Sequence, residues 1–249
     1  MRPALHAEWT KLRTAPGTTW LVLAVIALTV AMGAAAAAAT RCPPGDCAVD
    51  AAKISLSGVQ LGQAVVTILA VLVIGGEYST GMIRITLTAM PRRTTVLAAK
   101  AAVLSGIVLV AGTISVLASL LAGWLILPGP HLSLGDGSVL RATVGSVLYL
   151  TLIALLGLGT TIAVRDSAAA IGIVLGLLYL FPIVTHAVSD PDWQRHLQQI
   201  GPMSAGLTVQ ATTQLNGLPI GPWEGLGVLA AWAAAALLSA ALLFHLRDA

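Results

Sequence analysis

Long apolar stretches separated by short polar connections dominate the chain. Six of these stretches have about 20 residues or more, the length that a helix needs to cross the hydrocarbon core of a bilayer. The six are Thr18–Ala39, Ser57–Gly75, Val96–Leu127, Val139–Val164, Ala168–Val188 and Trp223–Leu243. The third is long for one straight crossing and too short for two, so we expect a single helix that is tilted or extends beyond the membrane.

The residues before the first stretch have the spacing of a short amphipathic helix. Leu5, Trp9 and Leu12 recur at helical intervals, so residues 1–17 are predicted to form an interfacial elbow helix along the membrane surface. A frayed tail is the alternative. A cleaved signal peptide is disfavoured because the leader contains Glu8 and the following run is long enough to span.

A longer segment, 189–222, separates the fifth and sixth stretches. Asp190 is a candidate N-cap with Pro191 at the first helical position, which is a typical helix start. Apolar residues then recur at helical spacing in two runs, Trp193, Leu197 and Ile200, followed by Met203, Leu207, Ala211 and Leu215. The pattern predicts two short amphipathic helices joined by a Gly-Pro turn, as a hairpin dipping into the outer leaflet. A solvated loop is the alternative.

Composition assigns this all-helical pattern to a membrane. The chain is 57% hydrophobic and only 9% charged, whereas soluble domains have about a quarter of their residues charged. With both termini on the cytoplasmic side, nine of the thirteen Lys and Arg residues lie inside, as the positive-inside rule requires. The basic residues lie between apolar runs and form no aromatic-interleaved basic face, which argues against nucleic-acid binding despite the net charge of +3.

The two cysteines occur together in the sequence RCPPGDC, at Cys42 and Cys47. The intervening Pro and Gly residues favour a turn that brings the sulfur atoms close. The orientation above places this loop outside, where an oxidising compartment favours a disulfide between them. Two thiols without a nearby histidine are too few for a structural zinc site.

Candidate chemistry is sparse. The chain lacks GxxxxGK[ST], the phosphate-binding loop of many ATPases. The five histidines have no metal-ligand spacing, and no catalytic motif accompanies any nucleophile, so neither an enzyme nor a cofactor is expected. No span has an ionisable residue near its middle, which disfavours ion-coupled transport. Lys100 lies near the inner edge of the third span, where its stem is expected to extend toward the interface.

One charged connection stands out between the second and third spans. Residues 76–93, GEYSTGMIRITLTAMPRR, include Glu77, Arg84, Arg92 and Arg93. Its apolar positions have helical spacing, so it is either an amphipathic helix that docks onto a cytosolic partner or a loop anchored by its positive charges. The residues themselves leave both interpretations open.

Four stretches carry a resemblance to a known family. EWTKLRTAPGTTW (8–20), GGEYSTGMIRITLTAMPRRTTVLAAK (75–100), PWEGLGVLAAWAAAALLSAALL (222–243) and the closing RDA resemble the ABC-2 type permeases of bacterial ABC exporters. The resemblance implies an all-helical protein with six spans (18–249), an elbow helix, a cytosolic coupling segment (77–95) and an outer re-entrant hairpin (189–222). It also implies a location in the bacterial cytoplasmic membrane.

The resemblance also implies partners. The permease is expected to pair with a second permease, either a copy or a paralogue, and with cytosolic ABC ATPase subunits that hold ATP and magnesium. By position, the residues expected to meet the ATPase are Glu77, Tyr78, Gly81, Arg84, Leu87, Pro91, Arg92, Arg165 and Asp166. An ion-coupled secondary transporter and a non-transporting scaffold or immunity protein are the alternative functions.

Overall fold

The computed structural model of the chain is a bundle of helices. It describes residues 2–14, 16–40, 49–82, 93–127 and 135–246, and these ranges contain no strand. In chain order the helices are α1 (Arg2–Thr14), α2 (Pro16–Ala39), α3 (Ala51–Ser55), α4 (Val59–Ser79), α5 (Arg93–Ile126), α6 (Gly137–Val164), α7 (Ser167–Leu175), α8 (Phe181–His186), α9 (Pro191–Ile200), α10 (Pro202–Gly206) and α11 (Pro222–Leu246).

Six helical segments are long and apolar enough to cross a membrane, which confirms the six predicted spans. They are Gly17–Ala39, Ala51–Tyr78, Thr94–Ile126, Gly137–Val164, Ser167–His186 and Pro222–Leu243. The second span begins earlier than predicted because α3 continues through a 3-10 turn, Leu56–Gly58, into α4. The third is one helix of 34 residues, about 50 Å long at 1.5 Å per residue, as predicted.

The bundle has two ends that differ in their connections. We call the end with α1, the last turn of α4, the first turn of α5 and the α6–α7 connection the terminal end. The opposite end, with α3 and residues 189–221, is the hairpin end. Between them α6 is the central span, with 67% of its apolar window buried, and it packs against α4, α5 and α11.

Glycine allows close approach of α2 to the second span. A Cβ atom added at Gly58 would lie 1.8 Å from the backbone oxygen of Thr29, and one at Gly62 would lie 2.3 Å from the Thr29 hydroxyl. Both distances are far below van der Waals contact. At Gly58 the obstacle is backbone, so only glycine fits there, whereas at Gly62 it is a side-chain hydroxyl that can rotate away. A Cβ at Gly172 on α7 would meet nothing within 4 Å in the described part of the chain.

The fifth span is irregular near its middle. A π-helical segment, Gly176–Leu180, separates α7 from α8, and Pro182 follows in the first turn of α8 without an N–H to donate. Tyr179, within the π-helical segment, donates its hydroxyl hydrogen to the backbone oxygen of Gln60. The irregular turn therefore links the fifth span to the second.

The hairpin segment confirms one predicted helix and shortens the other. Asp190 caps α9, its side chain accepting hydrogen bonds from Asp192 N and Trp193 N, and Pro191 is the first helical residue. The second predicted helix extends only through α10 and a 3-10 turn, Leu207–Gln210, before the backbone becomes extended at Ala211. The prediction that the second helix continues to Leu215 is therefore wrong, because that residue begins a separate 3-10 turn.

Asp50 explains why the helix stops there. Its carboxylate accepts hydrogen bonds from Thr212 N (2.6 Å), Thr212 Oγ1 (2.7 Å) and Thr213 N (3.1 Å). The same side chain caps α3 by accepting from Lys53 N. These backbone N–H groups cannot also serve a helix, so the extended turn replaces it. Partial burial opposes the charge, but the hydrogen bonds outweigh burial and lower the pKa of Asp50.

We expect Asp50→Asn to loosen this tether while preserving the cap of α3, because Asn caps helices about as well as Asp. Backbone hydrogen exchange at Thr212 and Thr213 should accelerate, and Asp190→Asn should leave it unchanged because Asp190 caps only α9. Since the pKa is lower in the folded state, the stabilisation is present above the ordinary carboxyl pKa and is lost as pH falls through the lowered one. Equal exchange in the two variants would contradict the tether.

Candidate functional site

The structure describes five of the nine residues predicted to meet an ATPase: Glu77, Tyr78, Gly81, Arg165 and Asp166. Arg84, Leu87, Pro91 and Arg92 lie outside the described residues, as do Cys42 and Cys47. The five described residues all lie at the terminal end.

Glu77 and Tyr78 occupy the last turn of α4, and Gly81 ends that turn. Thr80 N donates to Gly76 O, and Gly81 N donates to Tyr78 O. Gly81 has φ of +69°, a left-handed conformation that glycine adopts without strain and that commonly ends a helix. The glycine at position 81 therefore sets the point at which the chain leaves the second span.

The connection between α6 and α7 is only two residues long. Arg165 has φ of +62° and caps α6, and the Asp166 side chain caps α7 by accepting from Ala169 N at 2.7 Å. A Cβ added at Gly75 would lie 2.0 Å from the hydroxyl of Ser167. The two predicted ATPase-facing regions are thus adjacent, one beside the other at the terminal end.

Four charged side chains form a closed ring of ion pairs, which we call the charge ring: Glu8, Lys11, Glu77 and Lys100. Lys100 Nζ lies 2.6 Å from Glu77 Oε1 and 2.8 Å from Glu8 Oε2. Lys11 Nζ lies 3.0 Å from Glu77 Oε1 and 3.3 Å from Glu8 Oε1. Positive and negative groups alternate around the ring. It joins α1 to the end of α4 and to the beginning of α5, the two helices that flank residues 83–92.

Burial corrects the expectation for Lys100 and reveals a buried carboxylate on α1 that was not predicted. Lys100 is 1% exposed, so its ammonium group is held in ion pairs and does not extend to the interface. On α1, Leu12 is buried but Trp9 is 51% exposed, and Glu8 is buried beside Leu12. Glu8 was not predicted to be buried, because a carboxylate is compatible with a buried face only when a cation neutralises it. Here that cation is Lys100, which is distant in the sequence.

The electrostatics of the ring depend on its neutrality. Two carboxylates and two ammonium groups sum to zero, so the ring as a whole has no net formal charge, with Lys11 at its accessible edge. Breaking a buried ion pair by removing one partner typically costs about 3–5 kcal/mol, since the remaining charge is uncompensated. At the ring's accessible edge, partial burial disfavours the Lys11 cation, but the hydrogen bond and charge of Glu77, with those of Glu8, raise the pKa of Lys11.

A second buried polar network joins the hairpin to the spans. Tyr149 donates its hydroxyl hydrogen to Gln63 Oε1, and Gln63 Nε2 lies 3.3 Å from Met203 Sδ. Gln210 Nε2 donates to Ser146 Oγ at 3.1 Å. These residues were not predicted from the sequence, although Gln63, a glutamine within an apolar span, is itself a signal, since a buried amide requires partners.

A cavity of about 460 Å³ opens beside the charge ring, between α1, α2 and α4. Glu8, Lys11 and Glu77 line its polar part, and its apolar walls include Leu21, Leu69 and Val73. Among the described residues, no group of three or more His, Cys, Asp or Glu side chains is arranged to hold a metal ion. The charge ring and the apolar walls give this end ion pairs beside apolar contacts.

The family to which the chain is similar is given by a sequence-family model. A family model described as ABC-2 family transporter protein matches residues 4–183. The match covers α1, the charge ring, the connection after α4 and the α6–α7 connection. A search of curated proteins found no match.

Proposed function

Because the chain belongs to the ABC-2 family of transporter membrane proteins, we propose that it is the permease subunit of an ATP-driven exporter. Members of this family work with ABC ATPase partners in the membrane. The chain itself supplies the multi-pass membrane part. The ATP and magnesium that power transport are assigned to separate ATPase subunits, and a second permease completes a dimer.

The charge ring is the observation that carries this proposal beyond family membership. Glu77 lies just before residues 83–92 and Lys100 lies shortly after them, and the two side chains are in contact at 2.6 Å. Both also contact α1, through Lys11 and Glu8. A force applied to the connection is therefore passed to the second span, the third span and α1 together. A surface loop that serves only as an anchor would not require this arrangement.

The proposal places the terminal end in the cytosol, where an ATPase can reach it. This is the orientation in which most Lys and Arg residues lie inside. The ATPase surface then faces residues 77–95 and the neighbouring Arg165–Asp166 connection. At the opposite end, residues 189–222 face the exterior and dip into the outer leaflet.

Transport follows from a two-state change driven by the partners. ATP binding draws the two ATPase subunits together and displaces the connection at the end of α4. The charge ring makes the ends of α4 and α5 move with α1, so the spans tilt as a unit and expose a path to the outside. The largely apolar spans favour a hydrophobic or amphipathic cargo.

Arg84→Glu is expected to uncouple the ATPase from the permease while leaving membrane insertion intact. Reversing a charge on the ATPase-facing connection places repulsion where attraction is proposed. In the co-purified complex, stimulation of ATP hydrolysis by the permease should fall about tenfold or more, the effect of roughly 1.4 kcal/mol. Arg195→Glu, which makes the same change on α9 at the other end, is the matched control. Equal stimulation by the two variants would contradict the proposal.

A further inference from the structure

We propose that the cavity between α1, α2 and α4 binds one phospholipid with a primary ammonium headgroup, phosphatidylethanolamine. The inference rests on the membrane location of the chain and not on transport. It follows from three features of the cavity: an unsatisfied buried carboxylate oxygen, a partly exposed lysine, and an apolar wall that opens sideways.

The first feature is on Glu77, whose side chain is 8% exposed and lines the cavity. Its Oε1 atom accepts from both lysines of the charge ring. Its Oε2 atom is buried and accepts no hydrogen bond from any residue in the described ranges. A buried carboxylate oxygen without a donor is costly. Since the Glu77 side chain lines the cavity, a rotation of its carboxylate would bring this atom to the cavity wall, where a donor on a ligand can reach it.

The second feature is Lys11, which also lines the cavity and whose side chain is 35% exposed. Its ammonium group has three N–H donors, and the ring uses two of them, on Glu8 and Glu77. Within the described ranges the third has no acceptor, so it can donate to a phosphate at the mouth of the cavity. A donor for an anion and an acceptor for an ammonium group therefore lie in one cavity.

The charge of the ring selects the class of headgroup. Because the ring is neutral, a ligand with a net charge would find no uncompensated opposite charge beside it. A zwitterionic headgroup adds no net charge. Of the two common zwitterions, choline has no N–H group and cannot donate to Glu77 Oε2, whereas ethanolamine can.

The third feature is the apolar wall, which fits an acyl chain. Leu72 on α4 lines the cavity and is 47% exposed. We place this exposed apolar side chain, and with it the mouth of the cavity, against the hydrocarbon of the bilayer. Glu77 lies within one turn of the end of α4, at the depth of lipid headgroups. A lipid can thus place its headgroup at the ring and its chain along the wall.

The test is selective lipid retention by the purified full-length chain. The protein in mild detergent is incubated with equal amounts of phosphatidylethanolamine, phosphatidylcholine and phosphatidylglycerol, washed, and analysed by mass spectrometry for bound lipid. Leu72→Trp places a bulkier side chain in the apolar wall of the cavity and narrows the space for an acyl chain. Leu61→Trp is the matched control, because Leu61 lies on the same helix, is 43% exposed, and is outside the cavity. The readout is the lipid lost in the first variant and retained in the second.

We expect the lipid that depends on Leu72 to amount to about one molecule per chain. It should be phosphatidylethanolamine about ten times more often than phosphatidylcholine, as one hydrogen bond to a charged group allows. Glu77→Gln should abolish this preference. Equal retention of the two zwitterions would overturn the proposal, as would a preference for phosphatidylglycerol. Retention that is unaffected by Leu72→Trp would show that the lipid binds elsewhere and would overturn it too.

Discussion

Replacing Lys100 with methionine is expected to lower the free energy of unfolding by about 3–5 kcal/mol, because two buried carboxylates would share a single ammonium group. Lys100 is 1% exposed and contacts Glu8 and Glu77 at 2.8 and 2.6 Å. Methionine keeps an unbranched side chain of similar length, so the change removes charge with little loss of packing. Equilibrium unfolding in mixed lipid–detergent micelles measures the loss.

Two further variants separate charge from packing. Lys53→Met makes the same replacement at an exposed position of α3, and it should change the free energy of unfolding by no more than about 0.5 kcal/mol. The double variant Glu8→Gln, Lys100→Met restores neutrality, leaving the Lys11–Glu77 pair intact, and should recover much of the lost stability. If Lys100→Met were no more destabilising than Lys53→Met, the charge ring would not hold these helices together.

Gly58→Ala is expected to destabilise the bundle by about 1–3 kcal/mol, the usual cost of overpacking. The added Cβ would meet the Thr29 backbone oxygen at 1.8 Å. Because that oxygen belongs to the backbone of α2 and not to a flexible side chain, the two helices must separate. The same unfolding assay measures the effect.

Gly172→Ala is the matched control, since the same added atom meets nothing within 4 Å among the described residues. Alanine is the better helix former, so this variant should be neutral or more stable by about 0.5–1 kcal/mol. Both glycines belong to small-xxx-small patterns, Gly58 with Gly62 and Gly172 with Gly176, and only the structure distinguishes them. Equal destabilisation by the two substitutions would contradict the packing described for α2.

Local pattern was sufficient to predict the spans and several helix ends. Apolar runs of membrane-spanning length are set by composition and need no tertiary information, and the Asp190–Pro191 helix start depends on adjacent residues alone. The predicted length of the second hairpin helix was wrong because the backbone N–H groups of Thr212 and Thr213 donate to Asp50, which is 162 residues from Thr212. Contacts at that separation leave no periodic signal.

The charge ring could not be predicted for the same reason. Glu8 and Lys100 are 92 residues apart, and Glu77 and Lys100 are 23 apart, so each charge considered alone resembles an ordinary interfacial residue. A usable signal was present, however. In a chain with only 9% charged residues, carboxylates and lysines that recur at the same predicted end of three helices are candidates for mutual neutralisation.

The proposal that this chain is the membrane subunit of an ATP-driven transporter is tested most directly by identifying its stoichiometric partners. The tagged chain is extracted in mild detergent, and the eluate is analysed by mass spectrometry and assayed for ATP hydrolysis. We expect a co-purifying ABC ATPase that hydrolyses ATP and is lost when residues 83–92 are replaced by a flexible linker of equal length. An eluate that repeatedly contains the intact chain with no ATPase and no hydrolysis would contradict the proposal.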